Sequence, residues 1–253
     1  MTTTQFSRLL FLTLVSAGCG ASSIEAPATL ASCSTALLNG SYGSQKNGQT
    51  APGSVWTSVG VAVFDGQGNI AFHQAVSVNG VTTNGSSESG TYTVNADCTG
   101  TENDSTGKPI STLVVVHGGD QVIGESLLPG GSMAIHYERI TGPCVTGMLS
   151  GDYGYQRNGQ TGPGASLLAL GTINFDGKGN SVSAQTIDRG GTITHVANQL
   201  GTYAINSDCT GTQADAATGI VFSRIVIVAG GDTGLGMSTT PGNNVVLHYE
   251  RIK

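Results

Sequence analysis

The chain is predicted to be all-β, as two small antiparallel β-barrels of seven to eight strands each, joined in tandem. Composition, an internal repeat and the spacing of turn signals carry that expectation. Of 253 residues 39 are glycine, while basic side chains number only 10 and acidic ones 16. Long helices and coiled coils need Ala, Glu, Lys and Leu at helical spacing; Gly, Thr, Ser, Asn and Val favour turns and strands instead. A formal charge of −6 without a Lys/Arg cluster excludes a nucleic-acid partner from the expectations, because phosphate neutralisation needs a basic surface.

The repeat is read by sliding the sequence against itself. An offset of 111 places Cys33 on Cys144, Gly40-Ser41-Tyr42-Gly43 on Gly151-Asp152-Tyr153-Gly154, and Asp97-Cys98-Thr99-Gly100-Thr101 on Asp208-Cys209-Thr210-Gly211-Thr212. From Cys33 to Asp104 the copies share 32 identities in 72 positions. After one inserted residue the offset becomes 112, and His136-Tyr137-Glu138-Arg139-Ile140 meets His248-Tyr249-Glu250-Arg251-Ile252. A period this long exceeds a solenoid unit and suits a domain with its own core. The expected organisation is an export signal over 1–18, a flexible tether over 19–32, and barrel repeats over 33–142 and 143–253.

The signal is read from Arg8 followed by the apolar run from Leu9 to Val15 and the small residues Ser16-Ala17-Gly18 before Cys19. Ser-Ala-Gly-Cys resembles the lipobox of bacterial lipoproteins, with Ser16 where Leu is usual, and that resemblance implies lipidation at Cys19. Ordinary cleavage near Ala21 is the alternative, leaving a secreted chain. The Gly, Ser, Ala, Pro and Thr that follow form no periodic pattern and read as a linker.

Within each unit, turn signals recur every eight to twelve residues, as in a small antiparallel barrel or sandwich. Pro52-Gly53 and Pro163-Gly164 mark turns. Asp65-Gly66-x-Gly68-Asn69 and its copy from Asp176 supply the positive φ angles of a hairpin. One carboxylate per loop falls far short of a calcium site. Along Val55 to Asp65 both registers are apolar, but only Trp56, Ala62 and Phe64 keep apolar counterparts, in Leu167, Ile173 and Phe175. That register is assigned to the interior, and Trp56, Phe64, Leu167 and Phe175 are the cavity candidates. The apolar runs Ile110 to Val116 and Phe222 to Val228 predict buried central strands.

Setting Cys19 aside leaves four cysteines and three pairings. Only Cys33 with Cys98 and Cys144 with Cys209 keeps each bridge inside one unit and treats the copies alike. His136 and Glu138, with His248 and Glu250, alternate with the more apolar Met133, Ile135 and Tyr137. They are therefore expected to face solvent, and no catalytic residue, metal or cofactor is assigned.

Gly40 and Tyr42 open the first unit, Gly151 and Tyr153 the second, and Arg139 and Arg251 lie on the last strands. This resembles the calycin pattern of lipocalin-like barrels, in which a Gly-x-Trp on the first strand meets an arginine from the final strand. Tyr stands here where that family has Trp. The resemblance implies that Tyr42 with Arg139, and Tyr153 with Arg251, close the barrel floors by a cation over an aromatic face. The repeated phrases also resemble a group of exported bacterial repeat proteins. The functional expectation is an exported or lipid-tethered binding module for a small apolar or amphipathic ligand, touching a membrane only through its lipid. A structural or adhesive spacer and a barrel-type cyclase or isomerase are the alternatives. An interior void above roughly 300 Å³ favours carriage, and filled cores favour a scaffold.

Overall fold

The computed structural model describes residues 32–162 and 164–253; the expected export signal, Cys19, the expected tether up to residue 31 and Pro163 lie outside the described residues. Strands β1 (Asn39–Ala51), β2 (Ser54–Asp65), β3 (Asn69–Val78), β4 (Val81–Val94), β5 (Thr99–Asp104), β6 (Pro109–Val116), β7 (Gln121–Ser126) and β8 (Ser132–Arg139) form one closed barrel. Strands β9 (Ser150–Thr161), β10 (Ser166–Asp176), β11 (Asn180–Arg189), β12 (Thr192–Ile205), β13 (Thr210–Asp215), β14 (Val221–Val228), β15 (Thr233–Ser238) and β16 (Asn243–Arg251) form the second. Each strand pairs antiparallel with the next. Closure comes from β1 on β8, with Tyr42 opposite Arg139, and from β9 on β16, with Tyr153 opposite Arg251.

The Asp-Gly-x-Gly-Asn turns form because the first aspartate satisfies the backbone that the turn leaves unpaired. Asp65 Oδ1 accepts from the amides of Gln67 and Asn69 at 2.8 and 2.9 Å, and Asp176 does the same for Lys178 and Asn180 at 2.7 and 2.9 Å. These bonds hold the Asp176 carboxyl down at about 2.

The disulfides join Cys33 to Cys98 and Cys144 to Cys209, each across 65 residues. Each ties the segment before a barrel's first strand to the turn before its fifth, at the end of the barrel where the aromatic core lies. In the first barrel Phe64 meets Tyr42, Tyr92 and Tyr137 edge to face, with ring centroids 5.1, 4.9 and 5.5 Å away. In the second, Phe175 meets Tyr153 and Tyr203 at 5.3 and 4.9 Å. Such pairs add about 0.5–1.5 kcal/mol each beyond their area.

The barrels pack against each other through unlike faces. The outer side of β2 and β3, with Val59, Val61 and Ala75, shares one apolar cluster with Val226, Val228, Leu235 and Met237 of β14 and β15. Gln45 of β1 donates from Nε2 to the carbonyls of Gly236 and Leu247, both at 2.8 Å. A side chain at Gly43 would place Cβ 2.4 Å from a Val228 methyl. At the strand ends Gly242 donates to the Gly80 carbonyl at 3.0 Å.

This seam explains why β2 is apolar on both registers, and it corrects two expectations. First, burial on both faces of the sixth strand occurs in β14 and not in β6, where Val114 is 41% exposed. Second, His136 and Glu138 do not face open solvent. Glu138 is buried, and the His136 ring lies 6.4 Å from that of His248, nearly parallel at 17°. The second barrel covers them, and the internal alternation of one strand cannot reveal such a neighbour.

Candidate functional site

The second barrel is hollow toward the end opposite its disulfide. A cavity of about 310 Å³ opens there, lined by inward-facing side chains of most of its strands. Tyr155 and Arg157 come from β9, Ile173 from β10, and Ser181, Ser183 and Gln185 from β11. Gln213 comes from β13, and Leu247 and Tyr249 from β16. Arg189, Asp215, Thr240 and Asn243 stand at the strand ends and loops around the mouth. The lining thus combines aromatic and aliphatic walls with a few convergent polar groups, the usual make-up of a small-molecule site.

The same level of the first barrel is filled. Ile70 and Phe72 occupy the positions of Ser181 and Ser183, and both are buried. Lys46 sits over the Phe72 ring, 4.1 Å from its centroid, and its Nζ lies 3.4 Å from Glu102 Oε1. Tyr137 Oη and Ser111 Oγ both donate to Glu102 Oε2, at 2.8 and 3.0 Å, completing the carboxylate's shell. Ser181 and Ser183 leave space on β11 where Ile70 and Phe72 stand on β3, while Tyr155 in place of Ser44 and Ile173 in place of Ala62 supply wall on the neighbouring strands.

Polar groups around the void are partly committed. Tyr249 Oη and Ser223 Oγ both donate to Gln213 Oε1, at 2.7 and 2.8 Å. Gln185 donates to Gln199 Oε1 at 3.0 Å, but its own Oε1 is buried without a partner. Burial drives the Tyr249 phenol well above the ordinary range against the pull of the nearby Arg157 cation, and it raises the Tyr155 phenol against a hydrogen bond with Ser183 and the same cation.

The floor residues lie at the other end. The Arg139 guanidinium carbon is 4.7 Å from the Tyr42 ring centroid, and that of Arg251 is 4.8 Å from Tyr153. Arg139 also binds Asp120 at 2.8 Å and the carbonyls of Asn39 and Gly119 at 2.7 and 3.0 Å. Arg251 repeats this with Asp232, Ser150 and Gly231. Each tyrosine hydroxyl donates to a glycine carbonyl, Gly119 or Gly231. Burial pushes Tyr42 up to about 12. These groups are saturated, so they hold the barrel and offer nothing to a ligand.

None of the four cavity candidates lines the void. Phe64 and Phe175 are consumed by the edge-to-face cores, and Leu167 packs with Ala169, Ile187 and Val245 in a separate small cluster. Trp56, in the first barrel, is half-buried. Those residues were singled out by what the copies share, whereas the void arises where they differ. Reading the inward register of β3 against β11 exposes Ile70/Ser181 and Phe72/Ser183 directly.

No protein-family model matches the chain, and no curated protein matches it. Among solved structures it is similar to a protein of unknown function of the DUF3598 family from Nostoc punctiforme, at 8% identity and a TM-score of 0.27, covering 85% of this chain and 97% of that one. It is also similar to kievitone hydratase from Nectria haematococca, at 10% identity and a TM-score of 0.23, covering 84% of this chain and 89% of that one. At these scores neither likeness bears on function.

Proposed function

We propose that the protein is a binding module whose second barrel holds one small amphipathic molecule, while the first barrel serves as its rigid support. The observation that carries this reading is the contrast between two interiors descended from one sequence: Phe72 and the buried Lys46–Glu102 pair fill one, and a void of about 310 Å³ opens at the same level of the other. An interior kept only for stability gains from being filled, since a cavity forfeits dispersion contacts. Two disulfides fit an oxidising compartment, and no helix among the described residues is long and apolar enough to cross a membrane. Export, with or without a lipid on Cys19, and membership of the calycin group are part of the same proposal.

The test is a thermal-shift screen of fatty acids, small aromatic acids and neutral aromatics against the purified protein and its Ser183→Phe variant. A ligand at a hundred times its Kd adds about 2.7 kcal/mol of stability. The reading expects at least one compound to raise the Tm of the wild type and to lose that effect in the variant. A panel without any shift, or shifts that survive the substitution, would overturn it.

A further inference from the structure

We infer that the ligand of the second barrel is an anion, a carboxylate whose charge is met by Arg157. The inference rests on the container reading above and narrows it to a chemical class. Its basis is a change of charge between equivalent buried positions. Lys46 corresponds to Arg157 and Glu102 to Gln213, while Tyr137 and Ser111 correspond to Tyr249 and Ser223.

In the first barrel the cation has its counter-ion inside. Lys46 and Glu102 side chains are 6% and 1% exposed, and the carboxylate receives the tyrosine and serine hydroxyls. In the second barrel the hydrogen-bonding frame is intact, with Tyr249 and Ser223 both donating to Gln213, but the acceptor is a neutral amide. The cation is retained and its partner is gone. Among the described residues Arg157 forms no ion pair, and its Nε is buried without a hydrogen-bond partner. A partly buried cation left unpaired is unfavourable, and the penalty is relieved when a ligand brings the missing charge.

The surroundings favour an anion further. Arg189 at the mouth adds a second positive charge. Asp215, the carboxylate in the lining, stays charged, its Oδ1 accepting from the amides of Ala217 and Thr218 at 3.1 and 2.9 Å and from the Thr218 hydroxyl at 2.9 Å, so that the two arginines against one aspartate leave the lining net positive. Guanidinium matches a carboxylate in planar, two-pronged geometry, and Tyr155, Ile173, Leu247 and Tyr249 supply apolar walls for the remainder of the molecule.

The experiment is calorimetric titration with 2-naphthoate and with its neutral isostere 2-naphthamide, on wild type, Arg157→Gln and Gln213→Glu. The last variant rebuilds the first barrel's internal ion pair on a frame that already accepts it, so it should fold; wild-type Tm retained in the variants controls for this. We expect the wild type to bind the acid at least about tenfold more tightly than the amide. Both variants should lose that preference, the acid weakening by a larger factor than the amide. Equal affinity of acid and amide for the wild type would overturn the anion inference and leave the container reading standing. Binding of neither would count against both, and a preference that persists in Gln213→Glu would remove Arg157 from the account.

Discussion

Phe72 and Ser183 stand at the same interior position of the two barrels, and the difference between them separates a filled core from an open one. The consequences for stability run in opposite directions. Phe72→Ser should cost about 3–5 kcal/mol in chemical denaturation, because it opens a buried cavity and strips Lys46 of the ring beneath it. Ser183→Phe should leave stability unchanged or raise it by up to about 2 kcal/mol, as cavity filling does. A loss of comparable size from both substitutions would mean that the second interior is already packed.

The seam between the barrels predicts an asymmetry between equivalent glycines. A Cβ at Gly43 would meet Val228 and Val226 methyls at 2.4 and 3.0 Å, whereas one at Gly154 would meet nothing within 4 Å. Gly43→Ala should therefore destabilise by about 1–3 kcal/mol and Gly154→Ala should be neutral within about 0.5 kcal/mol. Equal effects in urea titrations would contradict heterologous packing of the two units.

Each disulfide closes a loop across 65 residues, worth roughly 4 kcal/mol by the chain-entropy argument. Replacing Cys33 and Cys98 together by alanine should lower stability by about 2–5 kcal/mol, and the Cys144 and Cys209 pair should behave alike. Mass spectrometry under non-reducing conditions checks the pairing itself, and a Tm insensitive to reductant would contradict the role.

Much of this architecture was legible in the chain, and for a physical reason: duplication supplies an internal comparison. The period separated units, the paired positions of Cys33 and Cys98 selected a connectivity, and a period of two along Trp56 to Phe64 identified the interior face. Comparison for identity hides what has diverged. Ser183, Arg157 and Gln213 carry no motif, and their meaning appears only against Phe72, Lys46 and Glu102. The outward burial of Val59, Val61 and Glu138 depends on a partner surface distant in sequence, which local alternation does not encode.

The seam also predicts a pH dependence. Burial, then the neighbouring His248, holds the His136 imidazole below its ordinary 6.5, so between that lowered value and 6.5 the unfolded chain binds more protons than the folded one. Its contribution to stability is therefore present above about pH 6.5 and lost as the pH falls through that window. Glu138, raised chiefly by burial, acts with the opposite sign above 4.5, losing stability as the pH climbs toward its folded value. Facing them are His248 and Glu250, paired at 2.8 Å. The difference in stability between wild type and His136→Gln isolates the imidazole; it should shift in favour of the wild type as pH rises from about 5 to 7. A flat difference would contradict the seam's electrostatics.

The most direct test of a single hollow barrel is the stoichiometry of 2-naphthoate binding, measured by titration calorimetry on the whole protein and on Ser183→Phe. One site per chain, abolished by the substitution at an unchanged or higher Tm, is the predicted result. Two equivalent sites, or a site indifferent to Phe at position 183, would contradict it.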